Sequence, residues 1–247
     1  MQDDGSRLLD RRQALCALGV LGVGAIAAAC SSSTKTTGAS NTTSASSAST
    51  ASSGSASAST GSATATACTL TPEVTEGPYY LDINDVRSDI TEDRPGAPLS
   101  LTITVLDASQ CAPLQNAAVD LWHCDAAGTY SGVQGSTGTT FLRGTQVTDG
   151  NGNVTFASIY PGWYQGRAVH IHMKVHVNDS VVHTGQLFFD DSMSASVFAA
   201  SPYRGTPDTP NNQDMIFSQA GGSTAIVPLT ATGNGYTGQI AVGVKHS

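Results

Sequence analysis

Two histidines one residue apart, His170 and His172, stand in the run His170-Ile171-His172-Met173-Lys174-Val175-His176-Val177. In an extended strand both point to one face, with Cα atoms roughly 6.5–7 Å apart, a spacing at which two imidazoles reach a single ion. Ile171, Met173, Val175 and Val177 fall on the opposite face, the side that a core would claim. The pair does not decide the matter alone, because exposed faces of alternating strands also carry histidine, as His176 on the same run illustrates. A copper or zinc site built from His170, His172 and His176 stays open here, as does a non-catalytic β-sandwich binding module. No row of exposed aromatics on alternating positions supports an adhesion or carbohydrate-binding surface.

The elements that must position such residues are strands. After Cys68 helical periodicity is hard to find, while short β-branched runs bounded by Gly, Asp and Asn recur. Residues 100–106 (SLTITVL) alternate with period two, and residues 117–122 form a second strand. Residues 146–148 and 154–156 flank Asp149-Gly150-Asn151-Gly152-Asn153, where Asp-Gly and Asn-Gly supply the positive φ angles of a hairpin. Residues 170–177 alternate again, and residues 184–189 can pair beside them; residues 192–200 form the one helix expected. The expectation is an all-β fold, a sandwich of mostly antiparallel strands with long loops, over residues 68–247.

Around the histidine pair the residues become specific. An earlier strand ends in Trp122-His123-Cys124-Asp125-Ala126-Ala127-Gly128-Thr129-Tyr130-Ser131-Gly132, and the pair is preceded by Pro161-Gly162-Trp163-Tyr164-Gln165-Gly166-Arg167. With Thr75-Glu76-Gly77-Pro78-Tyr79-Tyr80 and Gln186-Leu187-Phe188-Phe189, these blocks resemble the intradiol ring-cleavage dioxygenases, in their secreted, single-domain branch. The resemblance implies non-haem Fe(III) held by Tyr130, Tyr164, His170 and His172, and a catechol-type substrate cleaved with O₂ between its hydroxyls to a cis,cis-muconic acid. It further implies that Tyr164 is the phenolate the substrate displaces and the proton acceptor, and that Arg167 stabilises charge on the ring with Gln186 beside it. Tyr79 and Tyr80 are expected to wall the substrate pocket. Tyr160 competes with Tyr164, which is preferred because it follows Pro161-Gly162. Phenolates are hard, anionic donors that favour iron(III), and no Asp or Glu between Pro161 and His172 offers the carboxylate of a ferrous facial triad. Trp122 reads as core, His123, His176 and His183 as non-ligands, and Asp214 as a cap or turn residue. Only Gln165-Gly166 separates Tyr164 from Arg167, fewer residues than in larger members of the family, which leaves the loop between them to be determined.

The rest of the chain concerns location. Residues 1–29 carry Arg11-Arg12, an uncharged run and Ala27-Ala28-Ala29-Cys30, which together resemble a twin-arginine export signal ending in a lipobox, with Cys30 lipidated. Residues 30–67 are almost wholly Ser, Thr, Ala, Gly and Asn, the composition of a disordered tether. The expected location is extracellular or on the cell surface, with the membrane met only through the lipid. Charges in the signal sum to zero, so the net −8 stays on the mature protein and argues against nucleic acid as a partner. In an oxidising compartment Cys68 and Cys111, both in loop-like stretches, are expected to pair and Cys124 to stay free; pairings through Cys124 stay open.

Overall fold

The structure, a computed structural model, describes residues 69–133 and 135–246. The expected signal and tether, and with them Cys30 and Cys68, lie outside the described residues. All described residues belong to the unit Ser62–Ser247.

Among the described residues nine strands make two sheets. β1 (Pro98–Asp107) buries Leu99, Leu101, Ile103 and Val105 and turns Ser100, Thr102 and Thr104 outward, as its period-two pattern requires. Along one edge it pairs antiparallel with β5 (Asn153–Ile159), and at its end with β2 (Ala112–Pro113). Along the other edge β9 (Gly235–Val244) runs parallel to it and β8 (Leu229–Thr232) pairs with β9. The second sheet is antiparallel throughout, in the order β4 (Arg143–Val147), β3 (Ala118–Trp122), β6 (His170–Val177), β7 (Ser180–Phe188). Leu101, Ile103, Val105, Phe156 and Val242 of one sheet share a core with Val119, Leu121, Ile171, Met173, Val175 and Leu187 of the other. Each such side chain contributes roughly 1.5–3 kcal/mol of burial, so this layer holds the sandwich together. Among the described residues no helix is long and apolar enough to cross a membrane.

Two expectations are corrected. Asp149–Asn153 does turn tightly, with the Asp149 carboxylate accepting from the Asn151 and Asn153 amides at 2.9 and 2.8 Å, but it joins no hairpin. Its flanking strands diverge, β4 to β3 and β5 to β1, so the turn crosses between the sheets. The helix near residues 192–200 is α1 (Asp191–Phe198), capped by Asp190, and a second short helix, α2 (Met215–Gln219), accompanies it, capped by Asp214. Trp122 is core as expected, in a second cluster on the outer face of its sheet: Leu121 faces the other sheet, so its neighbour in the strand faces away, among Tyr79, Tyr80, Tyr130 and Tyr164.

β6 is buried on both faces. Its inner face fills the core, while residues 75–80 lie across part of its outer face. There Lys174 pairs with Glu76 and sits under the Tyr80 ring at 3.5 Å, and Gly77 packs on His172.

Candidate metal centre

Three segments converge on the outer face of the second sheet. β6 presents His170 and His172 side by side, their Nε2 atoms 3.0 Å apart. The segment before β6 brings Tyr164, whose hydroxyl lies 3.1 Å from His170 Nε2, and the loop after β3 brings Tyr130, whose hydroxyl lies 3.5 Å from the same atom.

Local sequence explains both tyrosine positions. After β3 the Asp125 carboxylate accepts from the amides of Ala127 and Thr129 at 3.0 and 2.9 Å, folding the chain back so that Tyr130 points to β6. Gly128, at φ +83°, lies directly against the Trp163 carbonyl, and Gly162 lies against the Asp125 carbonyl; a Cβ at either would collide with backbone. The two tyrosine-bearing loops are thus in backbone contact. The short Gln165-Gly166 link makes a tight turn with Gly166 at φ +81°, and the Arg167 amide donates to the Tyr164 carbonyl at 3.3 Å. That turn sets Arg167 Nη1 3.5 Å from the Tyr164 hydroxyl.

The protonation states of the two histidines suit a cation. Burial, with Arg167 next in weight, drives His170 down to about 3, and burial with the neighbouring His170 takes His172 well below the ordinary imidazole range. Both rings are therefore neutral at physiological pH. Burial pushes the Tyr130 phenol well above its usual value; it also raises Tyr164, where Arg167 acts in the opposite sense. Because a carbonyl can only accept, His170 Nδ1 must donate to the Ala168 carbonyl at 2.7 Å, which leaves its Nε2 as a lone pair facing the cluster. His172 Nδ1 has no hydrogen-bond partner, and the ring is held instead by stacking on Trp122, centroids 5.0 Å apart and planes 9° apart. One lone pair thus faces three polar atoms within 3.5 Å, a crowding that a cation with anionic phenolates around it would relieve. Two hard phenol oxygens and two imidazoles fit ferric iron.

Around these four lies a supporting layer. Arg167 donates through Nη2 to Gln186 Oε1 at 2.6 Å and through Nε to Asp214 Oδ2 at 2.9 Å. Asp214 Oδ2 also accepts the Ala168 amide at 2.9 Å, while Oδ1 caps α2 through the Ile216 amide at 2.8 Å. Burial opposes the Asp214 charge, but the Ala168 amide and the Arg167 guanidinium outweigh it and hold the carboxyl below its ordinary value. A pocket of about 410 Å³ opens over the cluster, lined by Pro78, Tyr79, Gly128, Thr129, Tyr130, Val133 and Tyr164. A larger hollow, of about 530 Å³, lies between the end of α1 and the β8–β9 turn, with Tyr203 and Tyr236 in its wall. No acid, base or histidine lines that hollow, so the smaller pocket is the one placed for chemistry.

A family model described as "Dioxygenase" matches residues 75–205, the stretch that contains all four donors, Arg167 and Gln186. The chain belongs to the intradiol ring-cleavage dioxygenases. Among solved structures it is similar to an intradiol ring-cleavage dioxygenase from Tetranychus urticae, with 36% sequence identity and a TM-score of 0.68 over 72% of this chain and 95% of that one. It is also similar to the dioxygenase domain of a dioxygenase–carbohydrate-binding fusion from the cellulolytic bacterium Streptomyces sp. SirexAA-E, at 28% identity and a TM-score of 0.57, over 72% of this chain and 100% of that one. Catechol 1,2-dioxygenase of Acinetobacter baylyi is 34% identical over 101 residues, which are 38% of this chain. That alignment spans only 32% of the curated relative's length.

Within this dioxygenase the structure brings Tyr130, Tyr164, His170, His172, Arg167, Gln186 and Tyr79 together and leaves other candidates outside. Tyr80 does not wall the pocket, contrary to expectation; its hydroxyl donates to Asp120 at 2.9 Å and its ring packs on Trp122 at 5.0 Å, because successive residues of the segment point apart. Tyr160 is fully buried against Phe189 and Phe198, its hydroxyl 2.8 Å from Ser194 Oγ. His176 meets Asp120 Oδ2 at 2.8 Å, which takes the third donor from a copper or zinc trio. His123 is held by Ser158 Oγ at 2.7 Å and the Cys124 carbonyl at 2.8 Å, and the buried His183 finds no hydrogen-bond partner. The tie from Asp214 to Arg167 went unrecognised in the sequence, where Asp214 carries only the signature of a helix cap.

Proposed function

We propose that this chain is a non-haem Fe(III) dioxygenase that cleaves catechol-type rings with O₂ between the two hydroxyl-bearing carbons, giving cis,cis-muconic acids. The supporting observation is the convergence of the Tyr130 and Tyr164 hydroxyls on the His170 and His172 Nε2 atoms, with both tyrosines also lining an aromatic-walled pocket. When bound there, ferric iron would supply Lewis acidity toward an ortho-diol and activate the ring toward O₂.

The chain's own residues account for the remaining requirements. Tyr79, stacked on Tyr130 at 4.6 Å and edge-on to Tyr164 at 6.2 Å, gives a planar substrate an aromatic wall. Tyr164 is the nearer phenol to Arg167 and the more solvent-accessible of the pair, which suits it to take a proton from a substrate hydroxyl at its Oη. Arg167, fixed by Asp214 and Gln186, is a preorganised cation for charge that builds on the ring. The Trp122 and Phe188 rings flank the histidines from the neighbouring strands, Trp122 against His172 and Phe188 against His170.

Catechol incubated with the iron-loaded protein is expected to consume O₂ and yield cis,cis-muconate. A yellow hydroxymuconic semialdehyde would instead mean cleavage outside the diol and a wrongly assigned centre. The proposal includes location: an exported enzyme held by a lipidated Cys30. Cys111 is disulfide-bonded and Cys124 is free and buried, which suits a Cys68–Cys111 bond worth about 3–5 kcal/mol in the chain-entropy model. Mass spectrometry of membrane-extracted protein is expected to find diacylglycerol on Cys30 and, without reduction, a Cys68–Cys111 peptide. An unmodified Cys30 would overturn the anchor, and a Cys124-linked peptide the bond.

A further inference from the structure

Arg143 opens β4 directly after the buried Phe141 and Leu142, and it is itself only 2% exposed. A guanidinium taken out of water costs several kcal/mol unless it is compensated. Among the described residues no carboxylate forms an ion pair with it, and burial lowers it to about 10. Its donors go to neutral oxygens of two segments. Nε reaches Ser131 Oγ at 2.9 Å and the Ser131 carbonyl at 3.3 Å, Nη2 reaches the same carbonyl at 2.8 Å, and Nη1 reaches the Tyr79 carbonyl at 2.7 Å.

Neither segment is part of a sheet, and both build the pocket. Ser131 follows Tyr130, and Tyr79 is the wall stacked on the Tyr130 ring. The Arg143 Cζ lies 6.0 Å from the centroid of that ring. Residues 75–80 rely on side chains for their placement: Gln186 Nε2 on the Thr75 carbonyl at 2.9 Å, Lys174 on Glu76, Tyr80 on Asp120, and Arg143 on the Tyr79 carbonyl. Of these ties only Arg143 also holds the Tyr130 loop.

We propose that Arg143 is a positioning residue that fastens the Tyr79 wall to the Tyr130–Ser131 loop and so fixes the width of the pocket. Its effect on turnover rests on the dioxygenase activity proposed above; its fastening role does not. A planar fork is needed, because one rigid group must address two carbonyls at once, which the point charge of a lysine does poorly. Replacing a buried ion by an apolar residue of similar volume is often neutral for stability, so R143M is expected to fold.

Amide hydrogen exchange of the full chain, with and without iron, compares the parent with R143M and R143K. In R143M, peptides covering residues 75–80 and 129–133 are expected to exchange about tenfold faster while β6 peptides are unchanged, the pattern of local rather than global opening. With iron, KM for catechol is expected to rise about tenfold with kcat within a few-fold, the signature of lost uniform binding. R143K is expected to restore only part of either effect. Unchanged exchange in both segments, or an equal rise in β6, would overturn the proposal. Should R143M not fold, R143K carries the same comparison with the same two outcomes. A parent that takes up no iron would sink the dioxygenase reading, while exchange would still decide the role of Arg143.

Discussion

His170→Ala and His172→Ala are expected to purify folded, colourless and nearly free of iron. Each substitution removes a neutral imidazole whose lone pair burial keeps available, and each leaves two phenols and one ring with no reason to ionise. Losing a residue that merely orients a ligand costs about 10–100-fold in metal affinity, so losing a ligand should cost more than about 100-fold. The measurement is iron content after dialysis against a weak chelator, read together with the visible tyrosinate-to-iron band. His176→Ala is the control. Its ring meets Asp120 and not the cluster, so iron and colour should stay. A coloured, iron-replete H170A or H172A would remove that residue from the centre.

Arg167→Leu is expected to separate binding from catalysis. The guanidinium touches Asp214, Gln186 and the Tyr164 hydroxyl but none of the imidazoles, so iron and colour should persist. Turnover should fall by about 10²-fold or more, the scale for losing one preorganised donor to developing charge. Leaving Asp214 buried, 4% exposed and without its cation, should also destabilise the fold by a few kcal/mol. Tyr164→Phe should fall between the two cases, with iron retained through three residues, a shifted band and slow turnover. Steady-state rates per iron atom make the comparison; bleaching of R167L, or turnover within a few-fold of the parent, would contradict the role given to Arg167.

The fold class and the histidine pair are legible in the sequence for a physical reason, whereas Tyr130 and Tyr164 are singled out there by the family resemblance. Strand alternation puts His170 and His172 on one face by arithmetic, and the blocks around Tyr130 and Tyr164 hold the turn residues Asp125, Gly128, Gly162 and Gly166 that aim them. What escapes is whatever depends on the second partner of a residue. Asp149–Asn153 announces a turn, yet only the pairing of β4 with β3 and β5 with β1 makes it a crossing between sheets. Asp214 announces a helix cap, and nothing local says that its other oxygen meets a guanidinium 47 residues earlier in the chain. Trp122 ends an apolar strand and reads correctly as core, yet nothing local says that Tyr79 and Tyr80, far away in sequence, help to cover it. β9 contains Gly235, Gly238 and Gly243, which weaken its strand signal although it pairs with β1 from Leu99 to Asp107.

The mutual seating of Gly128 on the Trp163 carbonyl and Gly162 on the Asp125 carbonyl has a kinetic consequence. Two loops interlocked backbone to backbone share a single rigid-body coordinate, so neither tyrosine can be withdrawn by a hinge of its own loop. Any movement of the Tyr164 hydroxyl away from Tyr130 would then come from torsion about its own side-chain bonds, a faster class of motion than loop opening. An insertion in either loop would therefore displace both phenols together.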